Sequence, residues 1–153
     1  MKLWKSYENP DIRSCEITGL KKHESYRACV KAWKRDESGE KVYIGKASPT
    51  VHAITGNVSF RERRCNATKV KPKVKSLKLT VGKSKKIKAS VTRTSWFYKP
   101  LDHIKPALRY FSNDRTVATV SKSGRVRAKG KGTCKIYIMA NNGVRGSVKV
   151  TVK

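Results

Sequence analysis

The chain has 153 residues, 37 of them Lys or Arg against 10 Asp or Glu, for a formal net charge of +27. Hydrophobic residues at 37%, with ten Gly and five Pro, are too many for a disordered polyelectrolyte and too mixed for a fibrous repeat, so a packed core in one domain or two small ones is expected. Uncharged runs are short and the opening Met1-Lys-Leu-Trp-Lys-Ser6 has no apolar stretch, which argues against a membrane span or a signal peptide within this chain.

Residues 12–55 alternate. Ile17 and Leu20 lead into Tyr26, Ala28, Val30 and Ala32 on one face, with Arg27, Cys29, Lys31 and Trp33 on the other, and the pattern resumes from Tyr43 to Thr55. A period of two predicts three or four strands. The phrase Ile17-Thr-Gly-Leu20, then Tyr26, Val30 and Ala32, then Gly45-Lys-Ala-Ser48 and a closing Val51 to Thr55 resembles the second half of a fibronectin type III domain, covering about residues 1–57. The resemblance implies that Tyr26 is a tyrosine-corner residue, its ring inward and its hydroxyl bonded to backbone just upstream. A complete sandwich of that type needs about seven strands, and only the closing ones are present. The apolar face of this partial sheet therefore needs cover, from Leu3, Trp4 and Tyr7 folding back, from the second half of the chain, or from a second copy in a dimer.

The charge then changes character. Residues 1–69 carry 15 basic and 8 acidic side chains, whereas residues 70–153 carry 22 basic side chains and only Asp102 and Asp114. Ser59 to Thr68 has neither strand nor helix period and is followed by Lys71-Pro72-Lys73, so residues 58–72 read as a linker and 73–153 as a second domain. There Leu77, Leu79 and Val81 alternate with polar residues, Gly82 turns the chain, and Ile87, Ala89 and Val91 alternate again. Further strands are predicted at Leu108–Phe111, Thr116–Ser121, Arg125–Arg127 after a turn at Gly124, Thr133–Ala140, and Ser147–Lys153 after Asn141-Asn-Gly143. Short strands with frequent turns and no long amphipathic helix predict an all-β antiparallel sandwich. Parity places Leu79, Ile87, Val91, Val117, Val120, Val126, Ile136, Ile138 and Val150 inside.

The wording of these strands is specific. Val81-Gly-Lys-Ser-Lys-Lys-Ile87, Leu108-Arg-Tyr-Phe-Ser-Asn-Asp114, Val117-Ala-Thr-Val-Ser-Lys-Ser-Gly-Arg-Val126, Gly130-Lys-Gly-Thr-Cys-Lys-Ile136 and Val148-Lys-Val-Thr-Val152 together resemble the bacterial immunoglobulin-like domain of group 2. Two departures stand out. Tyr110 occupies a place usually held by Trp, and the link from Thr92 to Ala107, with Trp96-Phe-Tyr98 and His103, is long. The resemblance implies a stalk or adhesion element of a longer exported protein at a bacterial surface.

Catalytic chemistry finds little to work with. No nucleophile elbow, zincin, P-loop or dinucleotide motif occurs, and His23, His52 and His103 stand singly, so no catalytic residue and no cofactor is expected. The spacings of Cys15, Cys29, Cys65 and Cys134 match no zinc site, and calcium would meet two carboxylates in a field of about twenty positive charges. Cys134 shares parity with Ile136 and should point inward as a small hydrophobe, as Cys15 does with Ile17. Cys29, facing outward, and Cys65, in the linker, are the only pair that could meet. The sequons at Asn57 and Asn66 read as chance in a domain of bacterial type.

What rises above this background is charge. Lys78, Lys86, Lys88, Arg109, Arg125, Arg127, Lys135 and Lys149 fall at outward strand positions, a basic surface suited to cell-wall polymer, acidic glycan or lipid head groups and equally explained as a solvated face that blunts strand edges. Nucleic acid is disfavoured, since Lys outnumbers Arg and no aromatic ladder interleaves with it. Trp96, Phe97 and Tyr98 form a candidate contact patch, although the loop could instead fold back over one end of the sandwich. The function expected is a non-catalytic spacer and adhesion module that binds cell wall, glycan or a host surface. The alternatives are a charge-driven binder of anionic polymers including nucleic acid and, more weakly, an accessory region of a cell-wall hydrolase.

Overall fold

Strands account for the regular structure. A computed structural model describes residues 5–101 and 107–153; Leu3, Trp4, Asp102 and His103, on which expectations above bear, lie outside them. Among the described residues there are sixteen strands and no α-helix. The first half holds β1 (Ser25–Ala28), β2 (Ala32–Arg35), β3 (Lys41–Ile44) and β4 (Val51–Ile54). Next come β5 (Val58–Ser59), β6 (Arg64–Cys65), β7 (Ala67–Pro72), β8 (Ser76–Leu79), β9 (Ser84–Lys86), β10 (Ala89–Arg93) and β11 (Lys99–Pro100). The chain closes with β12 (Leu108–Ser112), β13 (Ala118–Val120), β14 (Arg125–Ala128), β15 (Gly132–Ala140) and β16 (Arg145–Val152).

Two layers enclose the core. One is the sheet β12-β15-β16-β8, antiparallel except where β8 runs parallel to β16. Facing it are the sheet β13-β14-β9 and the pair β10-β7. The period of two dictates what lies between them: Cys134, Ile136, Ile138 and Ala140 of β15 and Val148, Val150 and Val152 of β16 are all 4% exposed or less. They meet Val126, Ala128, Ala118 and Val117 from the other layer. Each fully buried Val or Ile contributes about 1.5–3 kcal/mol, so this stripe supplies the main drive for closing the two layers.

Three expectations are corrected. The run from Lys86 to Val91 is not one strand: it breaks at Ile87, whose N–H donates to the Gly124 carbonyl at 2.9 Å, so β9 stays with β14 while β10 leaves to pair with β7. Val91 is consequently exposed at 37%, because β10 is the outer strand of its pair: Ala89 at its start still reaches the core, but it is the partner β7 that packs chiefly over β15 and β16. Leu79 and Val120 pack against the core but are only partly buried.

The expected linker is instead built into the fold. It contains β5, β6 and β7, with Ser59 and Cys65 fully buried and Asn66, Ala67 and Val70 nearly so. Its pattern was masked by a bulge: the register between β10 and β7 shifts at Thr92/Arg93, which face Lys69 and Ala67, leaving Thr68 as an extra residue. Ala67 and Val70 therefore both face inward at a spacing of three, which alternation alone does not predict.

The first half is thinly packed. β1 pairs with β4 and β2 with β3, as two separate two-stranded ribbons. The backbone N–H of Lys21 donates to the Tyr26 hydroxyl at 2.9 Å. The chain leaves strand geometry between Ala28 and Ala32, so parity does not carry across: Ala28, Val30 and Ala32 are exposed while Trp33 is half-buried, with Lys41 Nζ 4.2 Å from its ring centre. Cys15 is exposed too, contrary to the inward placement expected from Ile17. Of β1 to β4 only Ile54 is fully buried. Its cover comes from the second half, where the Asn66 side chain accepts the Ile54 N–H at 3.0 Å and donates to the Ile54 carbonyl at 2.8 Å. The His52 N–H donates to the Asn141 carbonyl at 2.8 Å at the same junction.

Candidate functional site: the outer face of the four-stranded sheet

Residues that alternate with the buried stripe form the opposite face of the same sheet. On β15 these are Thr133, Lys135, Tyr137 and Met139, and on β16 Arg145, Ser147, Lys149 and Thr151. Register makes Lys135 the cross-strand partner of Lys149, Tyr137 that of Ser147, and Thr151 that of both Thr133 and Lys78. Two lysines directly opposite one another repel. Lys78, Lys135 and Lys149 are all exposed, and among the described residues the ion pairs lie within residues 8–61, so none of those pairs engages this cluster. Asp114, in the loop after β12, has its carboxylate engaged by the Thr116 hydroxyl and the N–H groups of Thr116 and Val117. Those bonds, the hydroxyl foremost, hold its carboxyl below the ordinary value of 3.8.

Beside the lysines stands an aromatic stack. Phe111 of β12 is the register partner of Tyr137, and their rings stack at 5.1 Å with 20° between planes. The Arg145 guanidinium lies over Tyr137 at 5.0 Å from its centre. Cations and ring faces thus share one rigid surface that sequence reading missed, although the signal was available: Tyr137 has the parity of Lys135, and Arg145 that of Lys149.

The remaining basic positions are distributed elsewhere. Lys86, Arg125 and Arg127 belong to the other layer, where Arg125 faces Lys86 in register and both arginines line a shallow groove of about 420 Å³ with Ser84, Thr119 and Ser121. Lys88 sits at the break between β9 and β10. Arg109 has the outward register of Phe111, opposite Met139, but it is covered there: it is half-buried and its Nη1–H donates to the Thr50 carbonyl at 2.8 Å, while Nε and Nη2 are buried without partners. It ties β12 to the first half instead of adding to an open cationic face.

The aromatic loop between β10 and β11 does not fold back. Trp96 and Phe97 are 82% and 89% exposed, and only Tyr98 is half-buried, set edge-on to Phe60 at 6.3 Å. Cys65 is a buried free thiol turned to the carbonyls of Ser95, Tyr98 and Lys99, so the pairing with Cys29 does not form. Cys134 is 2% exposed, and burial pushes its thiol above the ordinary value. Gly82 lies in the exposed turn between β8 and β9. Gly124 has φ +80, and an added Cβ there would come within 2.9 Å of the Ile87 carbonyl and 3.0 Å of the Tyr110 ring, so the turn and the ring that replaces the usual Trp fit each other. His23 has its Nδ1 2.9 Å from the Val58 carbonyl and its ring against Phe60; His52 is part of β4. Among the described residues no group of three His, Cys, Asp or Glu side chains could hold a metal, and no helix is long and apolar enough to cross a membrane.

Two facing layers with this strand order define an immunoglobulin-like β-sandwich. Residues 66–152 match the bacterial Ig-like domain (group 2), and the chain belongs to that family. Among solved structures it is similar to an intimin mutant of EHEC O157:H7, with 22% identity over 48% of this chain and 34% of that one and a TM-score of 0.38. It is similar to a C-terminal 282-residue fragment of intimin in complex with the intimin-binding domain of the translocated intimin receptor, at 17% identity over 85% and 41% and a TM-score of 0.37. Domains 4 and 5 of the S-layer protein SbsC give 15% identity over 90% and 81% and a TM-score of 0.46. The chain spans less than half the length of either intimin structure. No curated protein matches it.

Proposed function

We propose that the chain is a non-catalytic spacer and adhesion element of a bacterial surface, and that the outer face of β12, β15, β16 and β8 captures an anionic cell-wall polymer or acidic glycan. The observation that carries this is the Lys135–Lys149 pair, directly opposed across two strands with Lys78 and Arg145 on the same face. A polyanion threading between the lysines replaces their mutual repulsion with attraction, and the stacked Phe111 and Tyr137 offer apolar contact to the same chain. Presentation follows from the fold: a rigid sheet holds the cations at fixed spacing, which a flexible basic tail would not do. The N-terminal residues 1–57 are read as the closing part of a fibronectin type III-like module that spaces the sandwich from what precedes it; the Lys21 to Tyr26 hydrogen bond supports this.

The test is binding of the whole chain to purified anionic wall polymer and to duplex DNA at low and near-physiological salt. Selective binding to the wall polymer that survives physiological salt is expected. Equal affinities that both vanish as salt rises would mean charge without recognition, the behaviour of a general polyanion binder.

A further inference from the structure

The loop between β10 and β11 carries an exposed apolar feature that lies apart from the sheet face. Trp96 and Phe97 are consecutive, and at 82% and 89% exposure both rings rest on almost nothing. The base beneath them is fixed, however. β11 pairs with β6, the Thr94 N–H donates to the Asn66 carbonyl at 3.0 Å, and Tyr98 is wedged against Phe60. A firm base with a bare aromatic tip is a projection.

Its surroundings are cationic. Arg93 and Lys99 flank the loop in the chain and are exposed, as are Arg61 and Arg63 beside Phe60. Among the described residues the nearby acids are engaged: Glu24 pairs with Arg61 at 3.1 Å, and Glu62 accepts the Ser25 hydroxyl at 2.6 Å.

From this arrangement we propose that Trp96 and Phe97 insert into the head-group region of an anionic lipid bilayer, with the surrounding Arg and Lys side chains resting on its phosphates. The degree of exposure separates this ligand from a sugar. A ring that stacks on a sugar lies with one face against the protein and keeps roughly half its surface, as Phe111 does at 38%, whereas rings bare on both faces are suited to entering a medium whole. Trp is well matched to the boundary between head groups and acyl chains, and the cationic collar adds attraction to anionic lipid. A convex tip of two side chains is also too small to provide the roughly 800 Å² per partner of a stable protein interface.

The experiment uses the full chain with phosphatidylcholine vesicles, with and without phosphatidylglycerol, read by co-sedimentation and by tryptophan emission with brominated acyl chains as quenchers. Wild type should bind the phosphatidylglycerol vesicles and be quenched. The double variant Trp96→Ser with Phe97→Ser, both at exposed positions that should leave folding intact, should weaken binding by about tenfold or more, whereas Trp96→Phe should largely retain it. Equal binding by wild type and the double serine variant would overturn the proposal in favour of charge alone. Failure of wild type to bind or be quenched would overturn it as well and leave the tip to a protein pocket. Neither result bears on polymer capture, which uses a different surface and is measured without lipid.

Discussion

The replacement Gly146→Ala tests the least expected part of the fold, the incorporation of residues 67–72 as a strand. Gly146 points inward from β16 at the place where β7 crosses it. An added Cβ would be driven into the Val70 carbonyl oxygen, with Pro72 Cδ at 2.8 Å and Cγ at 3.1 Å. Neither neighbour is the free end of a flexible side chain, so β7 itself has to move, and overpacking of this kind costs about 1–3 kcal/mol. Were residues 67–72 a linker away from β16, the same change would stabilise the strand by about 0.5–1 kcal/mol, because Ala loses less freedom than Gly on folding. The two accounts therefore differ in sign. Urea unfolding followed by circular dichroism reads it as a shift of midpoint at unchanged slope, and a loss of about 1 kcal/mol lowers Tm by about 4–8 °C in a domain of this size. A neutral or raised midpoint would refute the placement of β7 on β16.

Ile136→Ala, at the centre of the buried stripe, should cost about 2–5 kcal/mol, whereas Lys135→Ala beside it should stay within about 0.5 kcal/mol; the reverse order would mean that the faces of β15 are inverted. Asn66→Ala removes both bonds to Ile54; the carbonyl keeps the Asn57 N–H at 3.1 Å, but the buried N–H is left unpaired, a loss of about 1–3 kcal/mol, to be read by the same denaturation. Burial raises the Tyr110 phenol above its ordinary 10.0 and the Cys134 thiol above its ordinary 9.0, so both stay neutral in the folded state at pH values where the unfolded chain ionises. Their contribution is full below about pH 9 and lost as pH rises through the raised folded values, so the unfolding midpoint should fall on the alkaline side, and Cys134→Ser should lessen that fall. Hydrogen exchange should find residues 1–57 less protected than residues 73–153, since two-stranded ribbons are marginal alone; equal protection would make the first half a self-sufficient domain.

The sandwich was legible because its strands obey a strict period of two where both neighbours are present. β15 and β16 alternate without interruption, and their inward residues from Cys134 to Ala140 and from Val148 to Val152 proved buried. Legibility failed where a strand changes partners or gains a residue. At Ile87 the alternation continues in sequence while the backbone passes from β14 to β7, so Val91 inherits a parity whose cover has ended. At Thr68 the bulge shifts the spacing of Ala67 and Val70 from two to three, and the buried positions between β4 and β7 include Ser59 and Asn66, polar residues that read as loop until their hydrogen bonds are seen. The candidate site divides similarly. Individual outward lysines could be read from parity, but which of them share a face depends on sheet order, which separates Lys78, Lys135 and Lys149 from Lys86, Arg125 and Arg127, while Arg109 keeps its outward register and is covered by the first half of the chain at Thr50.

The central claim is that a particular face, and not net charge, captures the polymer. It is tested most directly by comparing two charge-matched variants in binding to purified anionic wall polymer at near-physiological salt: Lys135→Glu with Lys149→Glu on the four-stranded sheet, and Lys83→Glu with Lys85→Glu at the exposed strand β9 and the turn before it. The account predicts that the first pair weakens binding by about tenfold or more while the second changes it by less than about threefold, as rim charges do. Equal losses from the two pairs would contradict it and reduce the surface to a diffuse positive field.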